Sequence, residues 1–402
     1  MEIDRAKFLE EGYLVLRNVI PPDLLGPVRR AYEKMLDRQR GIWSRDRAPD
    51  APPGGVWETA PQPRVILHQM GDQVDAETAL AIEIWNHENL QGVSSHLLGE
   101  EDAGVTEMMM MCNPRREHGP ARWHRDFSPS YCAPLAGYIG DILENGPRYV
   151  QWNIPLYDDS VLWVVPGSHV RFATEAENAE LCADDAAPLS TGLQTHLNAG
   201  DGVVYILPIL HWGSSYSTLL RRTVHGGFSA FTNHPDQRFL DQVSAPVREA
   251  FARWEARSSA KMQQTAQVLR AALDRDAAGY RTALDRLHPG RGPRGQLQST
   301  IFLSKAAGRI NDLKAPDFDR MPTAAKSAAT SVHPMTLQWG APIAAEFTAA
   351  EAAELWSRYS WMDAALQGEE EQALPGFQGR ATHHLQQEIP PEVSLEEFFS
   401  RW

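Results

Sequence analysis

Three side chains carry the strongest chemical signal in this 402-residue chain: His124, Asp126 and His211. The first two lie in Arg122-Trp-His-Arg-Asp-Phe127. On an extended strand, whose side chains repeat every two residues, His-x-Asp points both ligands to one side. A second imidazole from a distant strand completes a facial set of two His and one carboxylate. Such a set suits iron(II) and leaves positions open for oxygen and a co-substrate. The spacing is weak by itself. With 14 His and 52 acidic residues, about two His-x-acid matches arise by chance, and a second one stands at His234-Pro-Asp236. Proline in its middle removes a ladder donor and favours a turn, so that match reads as a solvated turn.

Context singles out the first match. Gly200-Asp-Gly202 forms a turn signal, followed by the apolar run Val203 to Leu210 and then His211. This pattern places His211 on a strand neighbouring the His-x-Asp strand. Arg221 and Arg222 follow about ten residues later, on the next strand. A guanidinium there can grip a carboxylate through two parallel hydrogen bonds, as the far carboxylate of 2-oxoglutarate requires. His196, just before the Gly-Asp-Gly turn, is the rival third ligand. His225 shares a face with Arg221 and reads first as structural, with a place on the pocket wall as the alternative. His169 and Asp201 read as turn residues, and His383 and His384 as solvated residues of a polar tail. His118 and Arg122 are candidates for an anionic group of the substrate.

The elements that must position these residues can be outlined. Asp4 to Glu11 reads as a helix ending at Gly12, and Tyr13 to Ile20 as a strand stopped by Pro21-Pro22. Leu24, Leu25, Val28, Ala31, Tyr32, Met35 and Leu36 repeat at the helical period, with Gly41 as the C-terminal cap. Residues 43 to 63 contain Trp43 and Trp57 and read as a loop over a pocket. From about 104 to 232, short apolar runs separated by turns predict an all-β sandwich or barrel. They are 105–112, 149–156, 161–165, 203–207 and 223–231. Helical periodicity returns after 235, residues 289–300 read as a linker, and 349–366 as a helix.

Composition limits the partners. A net charge of −14 and three cysteines, Cys112, Cys132 and Cys182, fit neither nucleic acid or anionic membrane as the main partner nor a disulfide framework. The opening residues are not expected to act as a secretory leader, and no apolar run approaches about 18 residues. A cytoplasmic protein acting on a small molecule is expected, with a homodimer left open.

The order of motifs resembles the phytanoyl-CoA dioxygenase family of iron(II)/2-oxoglutarate enzymes over most of the first 232 residues. FLEEGYLVLRNVIPPDLL, WHRDFSP, VQWNIPLYDD with LWVVPGSH, AGDGVVYILPILHWGSS and RRTVHGGF occur in the family's order. The resemblance implies a mainly β core with flanking helices, a double-stranded β-helix (jelly-roll, cupin-like), and a helical C-terminal extension. It implies a jelly-roll oxygenase core over 1–234, a helical extension packed on it over 235–288, and a region 289–402 that serves as lid, substrate pocket or oligomer contact. His124, Asp126 and His211 fall on the metal ligands. Trp152 falls beside 2-oxoglutarate, and Met109 and Met110 on a strand lining the co-substrate pocket. Arg222 fits the family's distance from the second His. Arg221, favoured slightly, fits the residues that follow, with Phe228 seven positions on. The stretch Asp158-Asp159-Ser160-Val161 lacks the family's Glu-Asn-Gly turn, and the Asn common after the second His is absent from 214–220.

The implied chemistry is hydroxylation of an unactivated C–H bond, with 2-oxoglutarate and O2 converted to succinate and CO2 and ascorbate as an optional reductant. The carboxylate of Asp126 stands where related halogenases carry a small residue, which favours hydroxylation over halogenation. Desaturation, epoxidation and ring formation stay open. A non-redox jelly-roll metal or ligand binder, or an isomerase, is the alternative from another class.

Overall fold

The computed structural model describes residues 3–126, 134–232, 234, 236–366, 376–377 and 388–402. The chain divides into two compact units. The first comprises Met1–Asp126 and Arg148–Trp254, and the second comprises Phe127–Pro147 and Glu255–Trp402. The first unit thus runs on to Trp254, past the division expected at 234, and the described residues 134–147 belong with the C-terminal part. His383, His384 and Cys132 lie outside the described residues.

The first helix, Arg5–Glu11, starts where the Asp4 side chain accepts from the Lys7 amide at 2.9 Å, and it ends at Gly12 with φ 82°. Glycine is required there twice over. The left-handed backbone disfavours a side chain, and a Cβ would sit 2.3 Å from Nδ1 of His169. The second helix, Pro22–Arg45, runs straight through Gly41. A glycine inside a helix costs only about 1 kcal/mol, less than the buried face of Val28, Tyr32 and Met35 returns.

Ten strands are described in the first unit. They are β1 (Tyr13–Leu16), β2 (Arg64–Ile66), β3 (Gly104–Cys112), β4 (His124–Arg125), β5 (Tyr149–Pro155), β6 (Trp163–Val164), β7 (Leu193–Gln194), β8 (Gly202–Ile206), β9 (His211–Trp212) and β10 (Arg222–Ser229). A six-stranded antiparallel sheet has the order β1-β8-β5-β10-β3-β2, and β4-β9-β6-β7 run side by side in a second sheet. Leu162, Val164, Leu197, Val203, Tyr205 and Ile209 form one buried cluster joining the two. The other face of the large sheet carries Trp152, whose indole donates to Ser94 in the helix Val93–Leu98 at 2.9 Å.

Residues 104–232 are not all β. Helices Leu135–Asn145 and Glu175–Ala183 interrupt the strands, and 51% of the described residues are helical. The stretch expected as a linker lies largely in the helix Pro293–Lys314. Its Gly-Pro pair acts as a start signal, because proline at the first turn gives up an amide that has no partner there anyway. That helix is the axis of the second unit, packing against Leu135–Asn145 and Ala349–Ala365. The expected helix at 349–366 is present, started by a Thr348–Glu351 capping box. Among the described residues no helix is long and apolar enough to cross a membrane.

Candidate metal centre

His124 and His211 sit directly opposite each other on the antiparallel strands β4 and β9. Alternation turns Trp123, Arg125 and Trp212 to the far side. There Trp123 and Trp212 stack with centroids 5.5 Å apart, and their indole nitrogens donate to the carbonyls of Ala187 and Ala121 at 2.7 and 2.6 Å. The fully buried Arg125 donates to the carbonyls of Ser168 and Pro208, tying β4 to the turn that leads into β9. This backing fixes the two imidazoles with ring centroids 4.2 Å apart.

One ligand atom each from His124, Asp126 and His211 falls within 4.8 Å of the other two. Nδ1 of His124 lies 2.8 Å from the Arg122 carbonyl, and Nδ1 of His211 lies 3.1 Å from the Ile209 carbonyl. A carbonyl can only accept, so both Nδ1 atoms carry a proton, and in the neutral imidazole that leaves the lone pair on Nε2. Those Nε2 atoms face the two carboxylate oxygens of Asp126 at 3.7 and 3.5 Å. Two imidazole lone pairs and a carboxylate thus converge as acceptors, an arrangement that a cation between them resolves. His211 and Asp126 also hold the right protonation. Burial lowers His211 to about 4, keeping it neutral. Burial alone would raise the Asp126 carboxyl, but His211, His124, His225 and the hydrogen bond from Gln151 outweigh it and hold it at about 2.

A polar layer on the large sheet supports this set. The Gln151 side-chain nitrogen donates to Asp126 at 2.7 Å and to the Tyr205 hydroxyl at 2.6 Å, with Nε2 of His225 3.3 Å away. His225 in turn donates from Nδ1 to Asn153 at 2.8 Å. Gln151 and Asn153 alternate with Trp152 and Ile154 along β5, so these polar residues face the metal set.

Arg221 and Arg222 part company. Arg221 lies on the face of His225 and donates from Nε to Asp159 at 2.8 Å. No hydrogen bond is recorded for its terminal nitrogens among the described residues. Arg222 points the other way, to Glu33 at 3.2 Å and Asn113 at 2.7 Å, with Trp57 beside it. Trp152 is a correction. It belongs to the opposite face from Gln151, because neighbouring strand residues cannot share a face. The two methionines also separate: Met109 pairs with His225 and faces the metal side, while Met110 pairs with Val224 on the other.

The remaining histidines fall elsewhere. His196 is exposed and only its carbonyl is engaged, by Arg17. His169 is buried and bonds the Leu9 carbonyl at 3.0 Å. His234 is not solvated as expected. It is 2% exposed and packs on Phe239 and Phe251, with Nε2 3.1 Å from the Val105 carbonyl. Asp236 pairs with Arg238 instead. Asp201 staples its turn, accepting from the amides of Asn18 and Asn198. His118 and Arg122 are exposed, and Arg122 lies 3.5 Å from Asp185. Trp43 and Trp57 stack at 6.4 Å, and Trp57 packs beside Arg40. Sequence reasoning missed Gln151, Asn153 and Asp159. The signal for the first two was present, as polar residues alternating with apolar ones in the wholly buried strand Tyr149–Pro155.

No curated protein sequence matches the chain. Among solved structures, it is similar to AviO1 from Streptomyces viridochromogenes Tue57, at 19% identity over 57% of this chain and 96% of that one, with TM-score 0.39. It is similar also to EctD from S. alaskensis in complex with 2-oxoglutarate and 5-hydroxyectoine, at 17% over 56% and 74%, with TM-score 0.39. The epimerase SnoN in complex with Fe3+, alpha ketoglutarate and nogalamycin RO matches at 16% over 56% and 81%, with TM-score 0.35. The family model for phytanoyl-CoA dioxygenase (PhyH) matches residues 8–223, which span more than half the chain and include all three candidate ligands, and the chain belongs to that family.

Proposed function

We propose that this chain is an iron(II)- and 2-oxoglutarate-dependent oxygenase that hydroxylates a C–H bond of a small molecule. The observation that carries the reading is the convergence of two imidazole nitrogens and one carboxylate, whose ligand atoms all lie within 4.8 Å of one another. Two antiparallel sheets with a common core support a double-stranded β-helix as the scaffold.

Bound iron(II) with 2-oxoglutarate and O2 supplies oxidative decarboxylation to succinate and CO2, coupled to oxidation of the substrate. The chain's own residues have separable tasks. His124, Asp126 and His211 would hold the metal. Gln151 orients the Asp126 carboxylate. Arg221 offers its terminal nitrogens to the far carboxylate of 2-oxoglutarate while Asp159 holds its Nε edge. Neutral His225 and Tyr205 keep the wall polar without adding charge. The acidic net charge of −14 supports a small-molecule substrate over nucleic acid or an anionic membrane.

The test is anaerobic addition of iron(II) and 2-oxoglutarate while following the weak visible charge-transfer band of the chelate. The band is expected in the wild type and lost in Asp126→Ala. No band, together with iron affinity unchanged in Asp126→Ala, returns the chain to the class of non-redox jelly-roll proteins. Succinate release against panels of amino acids, acyl thioesters and small natural products then distinguishes substrates.

A further inference from the structure

The metal-facing side of the large sheet holds one row of residues directly across four strands: Glu107 on β3, Gly227 on β10, Gln151 on β5 and Tyr205 on β8. Gln151 and Tyr205 are occupied with Asp126 and with each other. Glu107, at the other end of the row, has a half-buried carboxylate with no hydrogen bond or ion pair among the described residues. Between them Gly227 leaves a gap, filled from one side by the Tyr149 ring. A Cβ at Gly227 would sit 2.2 Å from the Tyr149 phenol oxygen. Strands lie about 4.8 Å apart, which sets Glu107 roughly 10 Å from Gln151 along the row.

The charges around Glu107 are few. Burial raises its carboxyl, Asp126 raises it further, and Arg64 on β2 opposes both. Arg64 nevertheless spends its Nε and one terminal nitrogen on Gln62 at 3.2 and 2.9 Å. Tyr149 and His225 stay neutral, since burial pushes the phenol up and the imidazole down. A carboxylate withdrawn from water without a partner is costly, and a bound cation would remove that cost.

We infer that Glu107, with the Tyr149 phenol beside it, is the specificity-determining subsite for a protonated amine of the substrate, whose reacting carbon then lies toward the metal set. The inference rests on the oxygenase reading for the site's purpose, but its test does not need turnover. Butyl, cyclohexyl and benzyl amines and their matched alcohols are titrated into the full-length chain. The titrations are run with and without zinc(II) and 2-oxoglutarate, and binding is followed by saturation-transfer NMR. A charge-assisted hydrogen bond predicts amines binding about tenfold or more tighter than the alcohols. Glu107→Gln, which has nearly the same shape and removes no recorded hydrogen bond, is expected to abolish that preference, and Glu107→Asp to keep part of it. Equal binding of amines and alcohols by the wild type, or an undiminished preference in Glu107→Gln, overturns the inference. An amine preference in a chain that forms no charge-transfer band sinks the oxygenase reading alone. A band without the preference sinks the amine subsite alone.

Discussion

Removal of the Arg221 guanidinium should abolish 2-oxoglutarate binding, and the structure says how to separate that effect from unfolding. Two parallel charge-assisted hydrogen bonds from the terminal nitrogens to a carboxylate are worth about 1.5–3 kcal/mol each, so Arg221→Gln should weaken 2-oxoglutarate by roughly 10²–10⁴-fold. The same substitution strips Asp159 of its partner at 2.8 Å. Asp159 is 9% exposed, and leaving a buried carboxylate uncompensated costs about 3–5 kcal/mol of stability. A lost signal in the single variant is therefore ambiguous.

The double variant Arg221→Gln/Asp159→Asn removes both charges together. It should recover most of the unfolding free energy lost in Arg221→Gln and none of the 2-oxoglutarate affinity. The assay is anaerobic titration of the iron-loaded protein with 2-oxoglutarate, alongside urea unfolding of each variant. Arg222→Gln is the control, since Arg222 is engaged with Glu33 and Asn113 on the opposite face. It should change affinity by less than about threefold. A folded double variant that binds 2-oxoglutarate like the wild type refutes the assignment, as does an equal loss in Arg222→Gln.

Three further outcomes are expected. Gln151→Ala removes the 2.7 Å bond that orients Asp126. It should weaken metal binding about 10–100-fold in competition with a chelator, and an unchanged affinity would show that Asp126 is held by other means. Gly227→Val places a Cβ 2.2 Å from the Tyr149 oxygen and 2.4 Å from the Val150 carbonyl, so thermal unfolding should reveal a loss of about 1–3 kcal/mol or more; a neutral result contradicts the packing. Burial raises the Glu177 carboxyl, but Arg171, the Thr174 amide and Thr191 outweigh it and hold it at about 2. A carboxyl held below its unfolded value stabilises above that value, so up to about 3 kcal/mol should be present above pH ~4.5 and disappear as pH falls towards ~2. The stability gap between wild type and Glu177→Gln should narrow over that window; a gap independent of pH contradicts the ion pair.

The parts of the site legible in the sequence are those governed by short-range rules. His124 and Asp126 are read from strand alternation, and His211 from its place after a turn and an apolar run. The helix expected at 349–366 is present at Ala349–Ala365. Elsewhere residue type and strand phase point in different directions. Trp152 resembled a family position, yet the strand period assigns the metal face to Gln151 and Asn153. Pro235 makes His234 read as solvated, but its imidazole is buried against Phe239 and Phe251. Gly41 and the Gly-Pro stretch near 292 look the same locally whether they end a helix, sit within one or start one. Tertiary burial decides between these.

Register is the deeper limit. The row joining Glu107 to Gln151 exists because β3, β10 and β5 set Glu107, Gly227 and Gln151 opposite one another, and the register of β3 and β10 slips only beyond that row, between Gly227 and Phe228, where Thr106 bonds the Gly227 carbonyl at 3.0 Å. A slip of one position within the row would turn Glu107 to the opposite face. The metal ligands tolerate ignorance of that register, because they lie on or beside β4 and β9, where a single pair of opposed residues sets the geometry. The wall that chooses the substrate does not, since its carboxylate, gap and amide come from three strands whose mutual phase no single segment encodes. Chemistry class is therefore readable one strand at a time, whereas substrate class becomes readable only once the sheet is assembled.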